Sequence, residues 1–387
     1  MGKIEDEDEP MYASDGRLQK MEMDYSSIVD EKIPQCEQMV KQNKARLDEA
    51  LAVLHGLEKQ TRTGCDTHST TKVLLGIVRI CFENQCFDAL NENIVFLTKK
   101  RGLIKQSVTR MIQEICTYVD KLPEMNDTKL KLIDTLRSVT LGKIYVENER
   151  ARLTKILADH REKEGKLEEA STLMQELQVE TYGTMQKREK TEFLLEQMRL
   201  TLATAEYLKT QMISRKINVK YFEEEGTEDL KFKFYDLVIR LDSHEDRFLT
   251  VCKHYRAVYS SKGVQADEDR KLNVLKHVVL YALLAAYDNE QADLVERIKL
   301  DPEFEKLSLY SELLTLFTTN ELIIWSHLVP KLESGVRNDV AVQPVFNEAT
   351  EEGKRRWTTF KNRVVEHVSV LINLFYFSYF SFLRTSV

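Results

Sequence analysis

Eight histidines and six cysteines are the side chains best able to ligate a metal or act as nucleophiles in this chain. The histidines (His55, His68, His160, His244, His254, His277, His327 and His367) do not cluster in sequence, and His160 and His254 fall on or beside helical stripes. Cys36, Cys65, Cys81, Cys86, Cys116 and Cys252 include no C-x-x-C pair. Cys81, Cys86, Cys116 and Cys252 stand among apolar helical positions, which reads as reduced, buried thiols of a cytosolic or nuclear protein. Glu168-Glu169 and Glu223-Glu224-Glu225 are the obvious carboxylate groupings. Acid–base work requires burial or a close charge partner, and both groupings sit in charged, exposed-looking turns. There is no phosphate loop, no G-x-G-x-x-G, no H-E-x-x-H and no G-x-S-x-G. The residues therefore point to no catalytic, cofactor or metal site, and the expectation is a non-enzyme.

Two basic clusters remain. Lys99-Lys100-Arg101 ends a helical pattern, where cations suit the helix dipole. Lys354, Arg355 and Arg356 stand beside Trp357, and these four are the candidate partner-contact residues. The formal net charge is −7, which argues against a general nucleic-acid binder, since phosphate neutralisation needs a cationic face. No small-molecule site is expected.

The elements that position these residues read as helices nearly throughout. Thirteen glycines, six prolines and 31% charged residues disfavour a sheet-rich fold. The clearest unit is 148–183, in which Leu153, Ile156, Leu157 and His160 form one i, i+3, i+4, i+7 stripe and Ala170, Leu173, Met174 and Leu177 form another. Gly165 between them is placed to take the left-handed conformation that ends a helix. Similar stripes precede it, with a polar break at 64–71, and follow it, with a long helix carrying Leu195, Met198, Leu202 and Ala205 and ending near Lys216. Ser243-His244-Glu245-Asp246 has the spacing of a capping box. Leu272, Leu275, Val279, Ala282 and Ala286 mark a strongly apolar helix, and Asp301-Pro302 starts another. The hairpins are uneven and no fixed period can be read off. Each unit must still bury its stripe on a neighbour, so the expected class is all-α: a TPR-like helical repeat, or α-solenoid superhelix.

The two ends differ from the middle. Residues 1–24 open with an acidic run (Glu5, Asp6, Glu7, Asp8, Glu9), the opposite of a signal peptide's basic start, and read as a disordered tail. Residues 350–367 form a basic amphipathic helix with Trp357, Phe360 and Val364 on one face. Residues 368–383, VSVLINLFYFSYFSFL, carry no charge. That stretch is short for a membrane span, and its Tyr and Ser make it a packed or exposed apolar end instead.

Several stretches together resemble a known family. LEKQTRT (57–63), LNENIVFL (90–97), LIDTLRSVTLGKIYVENERARLTK (132–155), MQELQVETYG (174–183), CKHYRAVY (252–259), DNEQADLV (288–295), LFTTNELIIW (316–325) and EEGKRRWTTFKNRVVEH (351–367) are similar to the PCI-containing lid subunits of the proteasome regulatory particle, the branch of non-ATPase subunit twelve. The resemblance implies a helical arm over 25–242 and the helical part of a PCI domain over 243–367. It implies a non-catalytic scaffold of the 19S lid of the 26S proteasome, supporting ATP-dependent degradation of ubiquitinated proteins in cytoplasm and nucleus. The implied partners are other PCI subunits, the deubiquitinating subunit, the ATPase base and the core particle. A signalosome-type PCI scaffold is the alternative. Family members continue past the position of His367 into a winged helix; this chain runs into 368–387, a divergent hydrophobic tail. The expected architecture is therefore a truncated PCI domain lacking its winged helix, and a form not incorporated into the lid is a further expectation.

Overall fold

In the computed structural model, residues 23–123 and 126–385 are described, and among them the secondary structure is helical with no strand. The acidic run of the expected tail lies outside the described residues. The fold is all-α, as the stripes require. By contact density the chain divides into two compact units, 1–190 and 191–387.

The first unit holds α1 (Ser26–Gln42), α2 (Leu47–Thr63), α3 (Thr67–Glu83), α4 (Phe87–Lys99), α5 (Lys105–Lys121), α6 (Asp127–Thr140), α7 (Glu147–Lys163) and α8 (Leu167–Gln175). Each hairpin lays its apolar stripe on the next. Leu54, Leu74, Ile77, Ile94, Met111 and Ile112 are fully buried in one continuous core that runs on to Leu153 and Leu157. Burial of each such side chain contributes about 1.5–3 kcal/mol relative to exposure. Polar bonds stitch successive hairpins at separations near forty residues: Lys72 to Asp30 at 2.7 Å, Thr71 to Ser107 at 2.8 Å, Gln113 to Glu149 at 2.8 Å and Arg152 to Glu189 at 2.6 and 2.9 Å.

The second unit begins within α9 (Lys187–Ala203) and continues with α10 (Tyr207–Ser214), α11 (Glu228–His244), α12 (Phe248–Tyr259), α13 (Lys262–Gln265), α14 (Glu268–Leu284), α15 (Asn289–Lys299), α16 (Ser308–Thr318), α17 (Trp325–Lys331) and α18 (Glu351–Thr385). Its core forms around α14, where the run from Val278 to Ala285 is buried on every side. A helix apolar all round belongs in the middle of a unit, and α14 packs against α12, α16 and α18. Helix α18 carries on through residue 385 without a break. No helix among the described residues is long and apolar enough to cross a membrane.

Several local expectations change. The polar break at 64–71 shrinks to three residues, because Thr67 already opens α3. Thr70 and Thr71 are buried there, their hydroxyls bonded to Thr61 Oγ1 at 3.0 Å and Ser107 Oγ at 2.8 Å. The long helix expected up to Lys216 is two helices, α9 and α10, turned at Ala205. Ser243 caps nothing: it lies buried inside α11, and α12 follows Arg247 with no side-chain cap.

A period is present after all. Five helix ends adopt the same left-handed turn, at Cys65, Gln85, Gly165, Ala205 and Asp246, with φ of 56, 59, 80, 57 and 57°. Each is closed by the same backbone bond across five residues: Asp66 N–H to Thr61 O at 3.0 Å, Cys86 to Cys81 at 3.0 Å, Lys166 to Arg161 at 2.9 Å, Glu206 to Thr201 at 2.8 Å and Arg247 to Asp242 at 2.9 Å. This is the Schellman closure, which satisfies carbonyls a helix end would otherwise leave open. The last four turns stand 80, 40 and 41 residues apart, and the α5–α6 connection falls midway through the first gap. Gly102 and Gly142, also left-handed, stand 40 apart between hairpins. The chain is thus a helical repeat with a period of about forty residues.

Candidate interaction surface

Lys354, Arg355, Arg356 and Trp357 occupy the first turns of α18, and helical geometry sends them to different sides. The chain enters this helix through a close approach, since a Cβ on Gly353 would run into the Asn347 backbone. Lys354 faces solvent and pairs with Glu351 at 2.7 Å, a hydrogen bond that raises the lysine above its ordinary range and lowers the glutamate. Arg355 is exposed, pairs with Asp246 at 2.8 Å and donates to His244 O at 3.2 Å. Arg356 is buried, pairs with Glu352 at 2.7 Å and donates to Val345 O at 3.4 Å. Trp357 is partly buried in an aromatic cluster, edge-on to Trp325 at 5.8 Å and to Phe346 at 5.4 Å. The Arg337 guanidinium covers its ring at 3.8 Å, a cation–π contact. Of the four, Lys354 and Arg355 therefore face outward, on a strip continued by Thr358, Lys361 and Val365. Arg356 and Trp357 tie α18 to the segment before it. Sequence spacing could not show Arg337 or Asp246 as their neighbours, since both come from distant segments.

The first basic cluster is split the same way. Lys100 turns in to Glu58, whose carboxylate is fully buried, at 2.7 Å, and Arg62 meets the other oxygen at 2.9 Å. Lys99 and Arg101 remain exposed.

Several of the histidines and cysteines are brought into packing contacts. His254 bonds Asp242 at 2.8 Å, and His55 bonds Asn93 at 2.7 Å. Burial depresses His55 and His277 below the ordinary histidine range. Burial likewise pushes the Cys81, Cys116 and Cys252 thiols up to about 12, and Cys252 Sγ donates to Val278 O at 3.2 Å. Such thiols stay protonated and are poor nucleophiles. Among the described residues no group of three His, Cys, Asp or Glu side chains could hold a metal ion. A cavity of about 870 Å³ opens among α14, α15, α16 and α18, walled by Leu283, Val295, Phe317 and Leu371, with Thr319 and Arg363 among its polar groups. Arg363 is paired there with Glu366.

A family model described as PSMD12/CSN4, N-terminal, matches residues 49–267. The 26S proteasome regulatory subunit rpn501 of Schizosaccharomyces pombe is 41% identical over 359 residues, covering 92% of this chain and 79% of that protein. The 26S proteasome non-ATPase regulatory subunit 12 of Dictyostelium discoideum is 38% identical, covering 92% and 77%. The 26S proteasome regulatory subunit RPN5 of Saccharomyces cerevisiae is 36% identical, covering 92% and 79%. Among solved structures, a circular tandem repeat protein matches with 12% identity and a TM-score of 0.27, covering 93% of this chain and 91% of its own, too slight a likeness to bear on the fold.

Proposed function

This chain belongs to the PSMD12/CSN4 family of proteasome regulatory subunits, and on that ground we propose that it acts as a non-catalytic scaffold of the proteasome's regulatory-particle lid. The observation that carries the reading is 36–41% identity to three named regulatory subunits over 92% of the chain. The physics of the fold supports it. Stacked hairpins spend their apolar faces on each other and leave long polar faces for partners. The buried thiols, the packed His55, His254 and His277, and the paired carboxylates supply packing rather than chemistry. In this role the chain supports ATP-dependent degradation of ubiquitinated proteins by holding other subunits in place. Its partners are other PCI subunits, the deubiquitinating subunit, the ATPase base and the core particle, in cytoplasm and nucleus. Lys354 and Arg355, with the outward strip of α18, are proposed as a contact surface.

A second reading rests on the family model, whose description names CSN4 beside PSMD12: a scaffold of the signalosome type. Both readings are tested by expressing the tagged full chain in cells and analysing what co-purifies by native mass spectrometry. Recovery of proteasome regulatory subunits in stoichiometric amounts is expected. Recovery of signalosome subunits alone would replace the first reading with the second, and recovery of neither would refute both.

A further inference from the structure

The end of the α2 and α4 hairpins carries charge that the core does not use. Residues 59–63 and 96–107 hold Lys59, Arg62, Lys99, Lys100, Arg101 and Lys105 and no Asp or Glu. Arg62 and Lys100 are committed to the buried Glu58. Those two bonds, with Arg62 Nη1 donating to Arg101 O at 3.0 Å, draw the ends of α2 and α4 together. Lys59, Lys99, Arg101 and Lys105 are left exposed, and none forms an ion pair with a described residue. The helix dipole accounts for cations at the ends of α2 and α4. It does not account for Lys105, the first residue of α5, where a cation opposes the dipole and no acidic residue follows in the first turn. Beside the cluster Phe96 is 53% exposed, with Lys100 Nζ 4.5 Å above its ring. An exposed aromatic beside cations that have no carboxylate partner suits a partner that brings both acid and apolar groups.

We infer that this patch docks an acidic, apolar-anchored protein segment, one whose carboxylates meet Lys59, Lys99, Arg101 and Lys105 while an aliphatic or aromatic side chain covers Phe96. A protein segment fits better than nucleic acid. The cations are too local to track a phosphate backbone, and Phe96 beside them offers an apolar side chain a surface to cover. The inference does not depend on assembly into any complex, because the patch lies within the first unit and its probe is a peptide.

The test uses the full chain and a short fluorescein-labelled peptide of alternating Glu with two Phe, read by anisotropy. Saturable binding is expected at about 50 mM salt and weakening by about tenfold at about 200 mM. The triple variant Lys99→Glu/Arg101→Glu/Lys105→Glu should lose affinity by about tenfold or more, and Phe96→Ala by about threefold. The control Lys220→Glu/Lys233→Glu/Lys262→Glu makes the same change in net charge elsewhere and should lose less than about threefold. Should the first triple lose helicity by circular dichroism, the corresponding triples to Gln, test and control alike, take their place under the same criterion. Absence of saturable binding, equal losses in the two triples, or tighter binding of a thymidine oligonucleotide of equal charge would each overturn the inference.

Discussion

Lys100→Met probes Glu58, a fully buried carboxylate held between Arg62 and Lys100. Glu58 is 0% exposed, while the Arg62 and Lys100 side chains that flank it are 22% and 16% exposed. At about 4 Å between charge centres and an effective dielectric of about 20, each attraction is worth about 4 kcal/mol before desolvation. Desolvation of the carboxylate offsets much of this, so the pair as a whole stabilises modestly. Removing a single partner is different. Lys100→Met leaves the carboxylate buried with Arg62 alone, at a cost of about 2–3 kcal/mol, below the range for a charge stripped of every partner. Loss of the contact over Phe96 is part of that figure. Glu58→Ala leaves two cations that already reach water and can turn outward, and should cost about 1–2 kcal/mol. The double variant should cost less than the sum by about 1.5 kcal/mol or more. Urea unfolding followed by circular dichroism gives the free energies, and hydrogen exchange of α2 and α4 amides locates them; the Lys100→Met melting temperature should drop by about 5–10 °C. If Glu58→Ala proved costlier than Lys100→Met, or if the two changes were additive, the clamp would not be holding a desolvated anion.

Three further outcomes are expected. Ala205→Gly should raise stability by about 1 kcal/mol, because a left-handed alanine at φ 57° is strained and glycine is not; an unchanged or lowered melting temperature would count against that turn. Gly353→Ala should destabilise the second unit by about 1–3 kcal/mol through the clash with the Asn347 backbone, seen as an early loss of tryptophan fluorescence, since Trp325 and Trp357 both pack beside this turn. His277 is held neutral by burial against Tyr255, stacked at 4.7 Å, with its Nδ1 on Asn273 O at 2.9 Å and Lys276 and Asp339 nearby. Its folded pKa lies below the ordinary 6.5, so the unfolded chain binds the proton first. Stability is full above about pH 6.5 and falls as pH drops toward the folded pKa, by at most about 1.4 kcal/mol per pH unit. His277→Asn should flatten that part of a stability–pH curve measured by urea titration; a parallel curve would show that His277 does not titrate with unfolding.

Much of the arm was legible because helices bury one stripe. Leu153, Leu157, Ala170, Met174 and Leu177 are all buried as their spacing requires, and Phe360 and Val364 likewise. The breaks were legible where glycine or a polar pair marks them, as at Gly165, in the polar stretch around Cys65 and at Asn84-Gln85. At Ala205 an ordinary residue takes the same left-handed turn with no local sign, and a real period of about forty residues reads as irregular. The Thr70–Thr71 stretch misleads for a related reason: a polar run looks like a loop until Thr61 and Ser107 arrive from neighbouring helices to satisfy it.

The basic cluster 354–357 shows the same limit at the surface. Four consecutive residues suggested one patch, but a helix turns about 100° per residue, and the surroundings decide what each side meets. Arg356 met backbone carbonyls and Trp357 met Arg337, leaving Lys354 and Arg355 outside. The sequence by itself determined the helical class, the stripes and the family, because these rest on local periodicity and on residue identity along the chain. Only the tertiary structure decided the register of the repeat, the burial of Glu58 between Arg62 and Lys100, and which cations stay free, because those depend on groups some forty residues apart being brought within hydrogen-bond reach.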